Sequence, residues 1–224
     1  MDLEYVFNMI KKSYYILVLI IFNACNSDTL SGCFQASGPI VETTFSVSEF
    51  TKIQIEGEVS LLVKQGPFQE VVVETGENLL SDVYVAVEGE ILIIRDGNTC
   101  NVVRDYGITK AYVTAPDITE IQNSSTYDIR SDGVLNFPEL KLVSNTNGGI
   151  ENVRKGGDFY LDIVCESFKV SANGQSVFYV SGTATKADII FSDEAPRFEG
   201  AGLEIGELEV VQRSANKMIV NPQH

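Results

Sequence analysis

Val177–Phe178–Tyr179–Val180, Arg197–Phe198–Glu199–Gly200 and Lys217–Met218–Ile219–Val220 begin 20 residues apart each time. Each places a large apolar residue second. A second series runs between them: Leu140–Lys141–Leu142–Val143, Phe168–Lys169–Val170, Ala187–Asp188–Ile189–Ile190 and Leu208–Glu209–Val210–Val211, with starts separated by 28, 19 and 21. Small polar corners fall beside these runs, at Ser144–Asn145–Thr146–Asn147, Ser171–Ala172–Asn173–Gly174, Ser181–Gly182 and Ser214–Ala215–Asn216. Such residues accept left-handed dihedrals and hydrogen-bond their own backbone. A steady period near 20 is the mark of a solenoid, in which each coil buries its apolar face only against its neighbours. Three short strands and three tight corners per coil predict an all-β chain folded as a single-stranded parallel β-helix. A β-sandwich would also give short strands, but at a spacing of about 8–12 residues, and the constant longer period favours the helix.

Residues 40–107 read differently, as a block of short strands and hairpins. Ile53 and Ile55, then Val59, Leu61 and Val63, alternate with polar neighbours, and Gln65–Gly66–Pro67 ends them as a turn. Val83, Val85 and Val87 alternate up to a hairpin-type turn at Glu88–Gly89–Glu90, and Ile91–Ile94 closes the block. Period-2 alternation between Gly, Asn and Asp turns is the strand signature. Glu77–Ser81 has room for one helical turn at most. The coils of about 20 residues occupy 108–222.

The start of the chain carries an address. Lys11–Lys12 precede the apolar nine-mer Tyr14–Phe22, which leads through Asn23–Ala24 to Cys25. Nine residues are too few to span a bilayer, which needs about 20, and suit a signal-peptide core. A small residue before a cysteine is what a lipoprotein signal peptidase requires. The expectation is a signal peptide over 1–24, a lipid anchor on Cys25, a tether over 25–39 and a folded domain over 40–222. Ordinary secretion with a free cysteine is the alternative. Leu30–Ser31–Gly32–Cys33 is a second local match farther from the apolar run, and Met9 is a second candidate start.

The 224 residues carry 31 acidic and 16 basic side chains, a net charge of −15. Such a chain repels nucleic acid, so no nucleic-acid partner is expected. With 44% of residues apolar, a folded body is expected rather than disorder. Of the four cysteines, Cys33 and Cys100 lie near the two ends of the strand block, where a disulfide would tie the N-terminal strand to it. Cys165, inside the strand-like run Phe159–Cys165, reads as a free buried thiol. The only histidine is His224, so neither a Cys–His nucleophile nor a zinc site is expected.

There is no Gly-rich phosphate loop and no HExxH motif. No catalytic residues, metal or cofactor are therefore expected. In Tyr127–Asp128–Ile129–Arg130–Ser131–Asp132, alternate residues of a strand would share one face and align Asp128, Arg130 and Asp132. That could be an acid pair with a sugar-binding arginine, or a neutralised, solvated strand face, and the bland reading is preferred. Asp193 and Glu194 are turn-like acids that could hold calcium. The candidate ligand surface is Tyr127, Asp128, Arg130 and Asp132 with the corner residues Asn145 and Asn173. Phe178 and Tyr179 are further aromatics that a glycan binder would need to expose.

Several stretches together carry a resemblance. They are Phe50–Ile53, Val63–Pro67, Val73–Leu80, Ile91–Arg95, Tyr112–Pro116, Ser131–Gly133, Arg213–Asn216 and Ile219–Pro222. In combination they resemble the auto-transporter adhesin, head GIN domain family, a domain-of-unknown-function group common in Bacteroidetes lipoproteins. The match covers roughly Ile40 to Pro222. It implies a right-handed β-helical fold behind a lipoprotein signal, and relatives tend to carry two cysteines where Cys33 and Cys100 stand. Relatives usually continue past the Asn–Pro with another coil, so the coil around Met218–Ile219–Val220 is expected to be exposed. The function implied is a non-enzymatic module of the cell envelope, adhesin-like or structural, held at the outer membrane by its lipid and touching a glycan or an envelope protein. The alternatives are a carbohydrate-active enzyme using Asp128 and Asp132, and a scaffold docking a protein partner on the last coil.

Overall fold

The computed structural model describes residues 34–98, 101–144 and 156–223. The chain divides into two units, one of Ser37–Thr99 with Asp105–His224 and a small one of Met1–Ala36 with Cys100–Arg104. In the small unit, Arg104 donates from its backbone N–H to Asn101 Oδ1 and from its guanidinium to the Gln35 carbonyl.

The larger unit is all β. Its first part runs β1 (Ile40–Thr44), β2 (Lys52–Gly57), β3 (Ser60–Gln65), β4 (Glu70–Gly76), β5 (Val83–Glu88) and β6 (Ile91–Asp96). One short 3-10 turn, Leu80–Asp82, precedes β5, close to where the sequence left room for it. Then come β7 (Lys110–Ala115), β8 (Glu120–Ser125), β9 (Ile129–Asn136) and β10 (Glu139–Ser144). Three long strands follow, β11 (Phe159–Ala172), β12 (Val177–Phe191) and β13 (Arg197–Gln212), and β14 (Met218–Pro222) closes the series.

All fourteen belong to one sheet, in which β11 joins two flanks. Phe159–Val164 of β11 pairs with β9, while Ser167–Ala172 pairs with β10. From β9 the sheet continues through β3, β7, β4 and β1; from β10 it continues through β8, β2, β6 and β5. β12 lies along the whole of β11, and β13 along β12. The sheet curls into a half-barrel with its apolar face inward.

The expected right-handed parallel β-helix is therefore corrected. The pairs β1–β4, β4–β7 and β5–β6 are antiparallel, which a parallel solenoid does not contain. The runs read as separate coil strands on either side of a corner are halves of one continuous strand: Val177–Val180 and Ala187–Ile190, which flank the Ser181–Gly182 corner, both lie in β12. Each 20-residue repeat thus supplies one long bent strand and one turn, not three strands and three corners. The spacing itself is the offset between parallel neighbours. Phe159 faces Phe178, Phe178 faces Phe198, and Phe198 faces Met218.

That alignment builds the core. The Phe159 and Phe178 rings stack at 4.6 Å between centroids, and Phe178 meets Phe191 at 5.9 Å. Phe168, from the half of β11 on the other flank, meets Phe198 at 6.4 Å. All five rings are buried, and burying each is worth roughly 1.5–3 kcal/mol. The core also closes over a small polar cluster. The Thr109 hydroxyl donates to Asp96, Thr75 and Thr109 share a hydroxyl hydrogen bond, and Asp96 accepts the Asn98 N–H. Pairing satisfies groups whose desolvation would otherwise cost stability.

The expected disulfide is also corrected as a support of this fold. No disulfide occurs among the described residues, and Cys33 and Cys100 lie outside them, as do Cys25 and Asn145. Among the described residues, the sheet is held by its ladders and its core. Cys165 is free and buried, as its strand context suggested.

Phe178→Ala removes the ring at the centre of the aromatic contacts. Denaturant unfolding should show a loss of about 3–5 kcal/mol, whereas Phe68→Ala, at an exposed turn, should change stability by less than about 0.5 kcal/mol.

Candidate functional site

Three register shifts fall side by side on the flank formed by β9 and the first halves of β11, β12 and β13. Tyr160 faces Arg130 but Asp162 faces Val134, so β9 carries extra residues around Ser131–Gly133. Tyr179 faces Glu199 but Gly182 faces Leu203, so β13 carries an extra residue beyond Glu199. Between β13 and β14, Glu199 faces Ile219 and Glu204 faces Asn221, a larger bulge on the same stretch of β13. Bulges bend a strand and re-aim its side chains. Gly182 makes the shift possible: its φ is +107°, and a Cβ there would lie 2.0 Å from the Ile163 carbonyl oxygen. Only glycine fits.

The shifts leave an open groove of about 460 Å³ on the outer face, lined by Ser131, Tyr160, Asp162, Tyr179, Ser181 and Glu199 among others. One row of side chains crosses it. Arg130, Tyr160, Tyr179 and Glu199 are ladder neighbours on successive parallel strands. The Tyr160 and Tyr179 rings stack at 4.7 Å with 10° between their planes. The Arg130 guanidinium lies 3.8 Å from the Tyr160 ring centroid, a cation–π contact worth about 0.5–2 kcal/mol. Arg130 also donates to Asp128 Oδ2 at 2.8 Å. At the far end of the row, Glu199 pairs with Arg197. Tyr179 remains 39% exposed, so the row presents an aromatic surface to solvent.

Electrostatics keep Tyr160 as a neutral hydroxyl. Burial pushes the Tyr160 phenol up from its ordinary value, and the Asp128 and Asp158 carboxylates add to the effect. Burial also raises the Asp158 carboxyl, opposed by the hydrogen bond it accepts from the Val177 N–H at 2.7 Å and reinforced by Asp128. A neutral phenol both donates and accepts.

The residues singled out in the sequence scatter. Asp128 holds Arg130 and accepts the Asp158 N–H, whereas Asp132 sits in the bulge and pairs with Lys64 at 3.0 Å. The two acids are each tied to a different cation, the neutralised strand face rather than a converging acid pair. Tyr127 is half-buried, with its ring over Gly107, where a Cβ would lie 2.7 Å from it. Phe178 is core, not surface. Asn173 follows the other end of β11, where its N–H donates to the Ser144 carbonyl. Asp193 and Glu194 form an exposed turn in which Asp193 Oδ1 accepts the Glu194 N–H. Among the described residues no group of three or more His, Cys, Asp or Glu is placed to hold a metal. Tyr160, Asp162 and Glu199 were missed as site residues. Tyr160 and Tyr179 stand 19 apart, the same offset as Phe159 and Phe178, and that shared offset was the available signal.

A second hollow, of about 750 Å³, lies where the long strands bend. Cys165 lines it with Asn136, Thr183, Thr185, Glu204 and Gln223 among others. Burial pushes the Cys165 thiol up to about 11. A thiol held protonated at neutral pH is a poor nucleophile.

The model of the family described as "Putative auto-transporter adhesin, head GIN domain" matches residues 49–224. Among solved structures, a "putative adhesin" from Bacteroides fragilis NCTC 9343 is similar at 17% identity, with 84% of this chain and 83% of that chain covered and a TM-score of 0.73. A "putative lipid binding protein" from Parabacteroides distasonis ATCC 8503 is similar at 14% identity, with 84% and 98% covered and a TM-score of 0.51. At these identities the likeness shows the fold. No curated protein matches the chain.

Two outcomes follow for Cys165. In the native protein at pH 7.5 it should resist a thiol-alkylating reagent that labels it at once after unfolding. Its folded-state value lies above the ordinary 9, so the folded state holds the proton more tightly. Stability should therefore fall as pH rises from about 9 towards about 11, and Cys165→Ser should flatten that part of a pH–stability curve.

Proposed function

The chain belongs to the auto-transporter adhesin, head GIN domain family, and from that premise we propose that its outer groove is the surface by which it binds a glycan. It is a non-enzymatic, adhesin-like binding or structural module associated with the cell envelope. The observation that carries the glycan reading is the stacked Tyr160–Tyr179 pair lying in a groove with a polar rim. Aromatic surface takes the apolar face of a sugar ring, while Ser131, Asp162, Ser181 and Glu199 offer partners to its hydroxyls. Arg130 holds the Tyr160 ring in place from the other side. The groove is open, and the nearby Asp128 and Asp132 are each tied to a different cation, which suits binding without turnover.

The order Lys11–Lys12, apolar nine-mer, Ala24, Cys25 supports a signal peptide over 1–24 and a lipid on Cys25. A tether over 25–39 would then hold the 40–222 domain at the outer membrane. Stable anchoring needs two acyl chains or more, since one is marginal.

A glycan array probed with the 26–224 fragment tests the groove. Binding to at least one polysaccharide class is expected, weakened about tenfold in Tyr179→Ala and in Arg130→Ala, a change of about 1.4 kcal/mol. Both variants should keep the parent's unfolding midpoint within a few degrees. Binding that survives both changes, or an array with no signal, contradicts the reading. Separately, the mass of the mature N-terminus should correspond to acylated Cys25, and a chain retaining Met1 or Met9 contradicts the anchor.

A further inference from the structure

One carboxylate in the outer groove has no counter-charge. Asp128 holds Arg130, Asp132 pairs with Lys64, and Glu199 pairs with Arg197. Asp158 accepts the Val177 N–H. Among the described residues nothing donates to the Asp162 carboxylate or pairs with it. None of the described residues lining the groove is basic.

The fold sets that carboxylate beside the aromatic pair. At the register shift between β9 and β11, the Asp162 N–H donates to Ser131 Oγ at 3.0 Å. Asp162 follows Tyr160 by two residues, so both side chains leave β11 on the outer face, about 7 Å apart along the strand. Their ladder partners on β12 are Ser181 and Tyr179, spaced the same way. Asp162 Oδ1 lies 2.9 Å from where a Cβ on Gly182 would sit, so the carboxylate leans across onto β12. Arg130 and Tyr179 take the two faces of the Tyr160 ring. The free ring face is that of Tyr179, on the side of β13 where Ala201 and Gly202 line the groove.

We propose that the groove selects an amino sugar carrying a free, protonated amine, an inference that rests on the reading of the groove as a glycan site. A pyranose against the Tyr179 face would extend along β12 towards Ser181 and the Asp162 carboxylate. An ammonium has donors and no acceptor, and it meets a carboxylate in a charge-assisted hydrogen bond. A tyrosine face also attracts a cation. N-acetylation removes the charge that Asp162 would meet. A uronic acid would set a second carboxylate against Asp162, and the chain's net charge of −15 repels an acidic glycan from a distance as well.

The probes are trimers of glucosamine, of N-acetylglucosamine and of galacturonic acid, each titrated into the full chain and followed by calorimetry. The glucosamine trimer should bind about tenfold more tightly than the N-acetylated one, with the galacturonic acid trimer weakest. That preference should shrink as salt rises from 50 to 500 mM. Asp162→Asn should cut it to about twofold or less, whereas Asp193→Asn, which removes the same charge from an exposed turn, should keep it. Both variants should unfold at the parent's temperature. An equal loss in the two variants would assign the preference to net charge and overturn the proposal. Equal affinity for the glucosamine and N-acetylglucosamine trimers overturns it, as does no binding of the glucosamine trimer at millimolar concentration. Trilysine bound as tightly, and through Asp162, would assign the carboxylate to a peptide cation instead. The glycan reading fails separately: a neutral trimer that binds without preference for the amine and is lost in Tyr179→Ala leaves the glycan site standing, while an array with no signal removes both.

Discussion

Everything in this fold depends on the parallel register that stacks Phe159 on Phe178 and Phe178 under Phe198. The ladder fixes which side chains of β11, β12 and β13 point inward. A slip by one residue would turn the phenylalanines to solvent and the tyrosines to the core. Phe191 and Phe168 come from the other flank to meet Phe178 and Phe198, so the same rings also hold the two halves of the sheet together. The core is therefore the clamp that keeps the sheet curled.

The surface row is the other side of this constraint. Tyr160 follows Phe159, and Tyr179 follows Phe178, so packing the phenylalanines necessarily stacks the tyrosines on the outer face. The bulges then decide what surrounds them. Gly182 and the extra residues around Gly133 and Gly200–Gly202 bend the strands, opening a groove where a regular sheet would be flat. An adhesin-like module needs an extended, rigid surface rather than a deep cavity, and a ladder of side chains on parallel strands provides one.

The sequence revealed the all-β character, the hairpin at Gly89, the free buried Cys165 and the 20-residue offset. It misled on architecture because an offset of 20 between parallel neighbours does not say how many times the chain turns within it. Ser181 and Gly182, read as a corner, continue β12 past Val180, and that continuity is set by pairing with β11 and β13 rather than by local composition. The antiparallel β1–β4–β7 arrangement is likewise a long-range choice: Val71–Val73 pairs with residues about 40 positions downstream. At the site, Arg130 was legible as a ligand candidate, but its partner ring was not. Tyr160 lies 30 residues from Arg130 and meets it only because β9 pairs with β11. Asp128 and Asp132 share a strand face in a regular count, and the bulge at Ser131–Gly133 removes that regularity.

The register is the central claim, and aromatic contacts in solution test it most directly. Nuclear Overhauser spectra of the protein with labelled Phe and Tyr rings should connect Phe159 to Phe178 and Tyr160 to Tyr179, with no Phe159–Tyr179 or Tyr160–Phe178 contact of comparable strength. The cross pattern, or the absence of both ladder contacts in a folded sample, would contradict the register and with it the core, the groove and the tyrosine row.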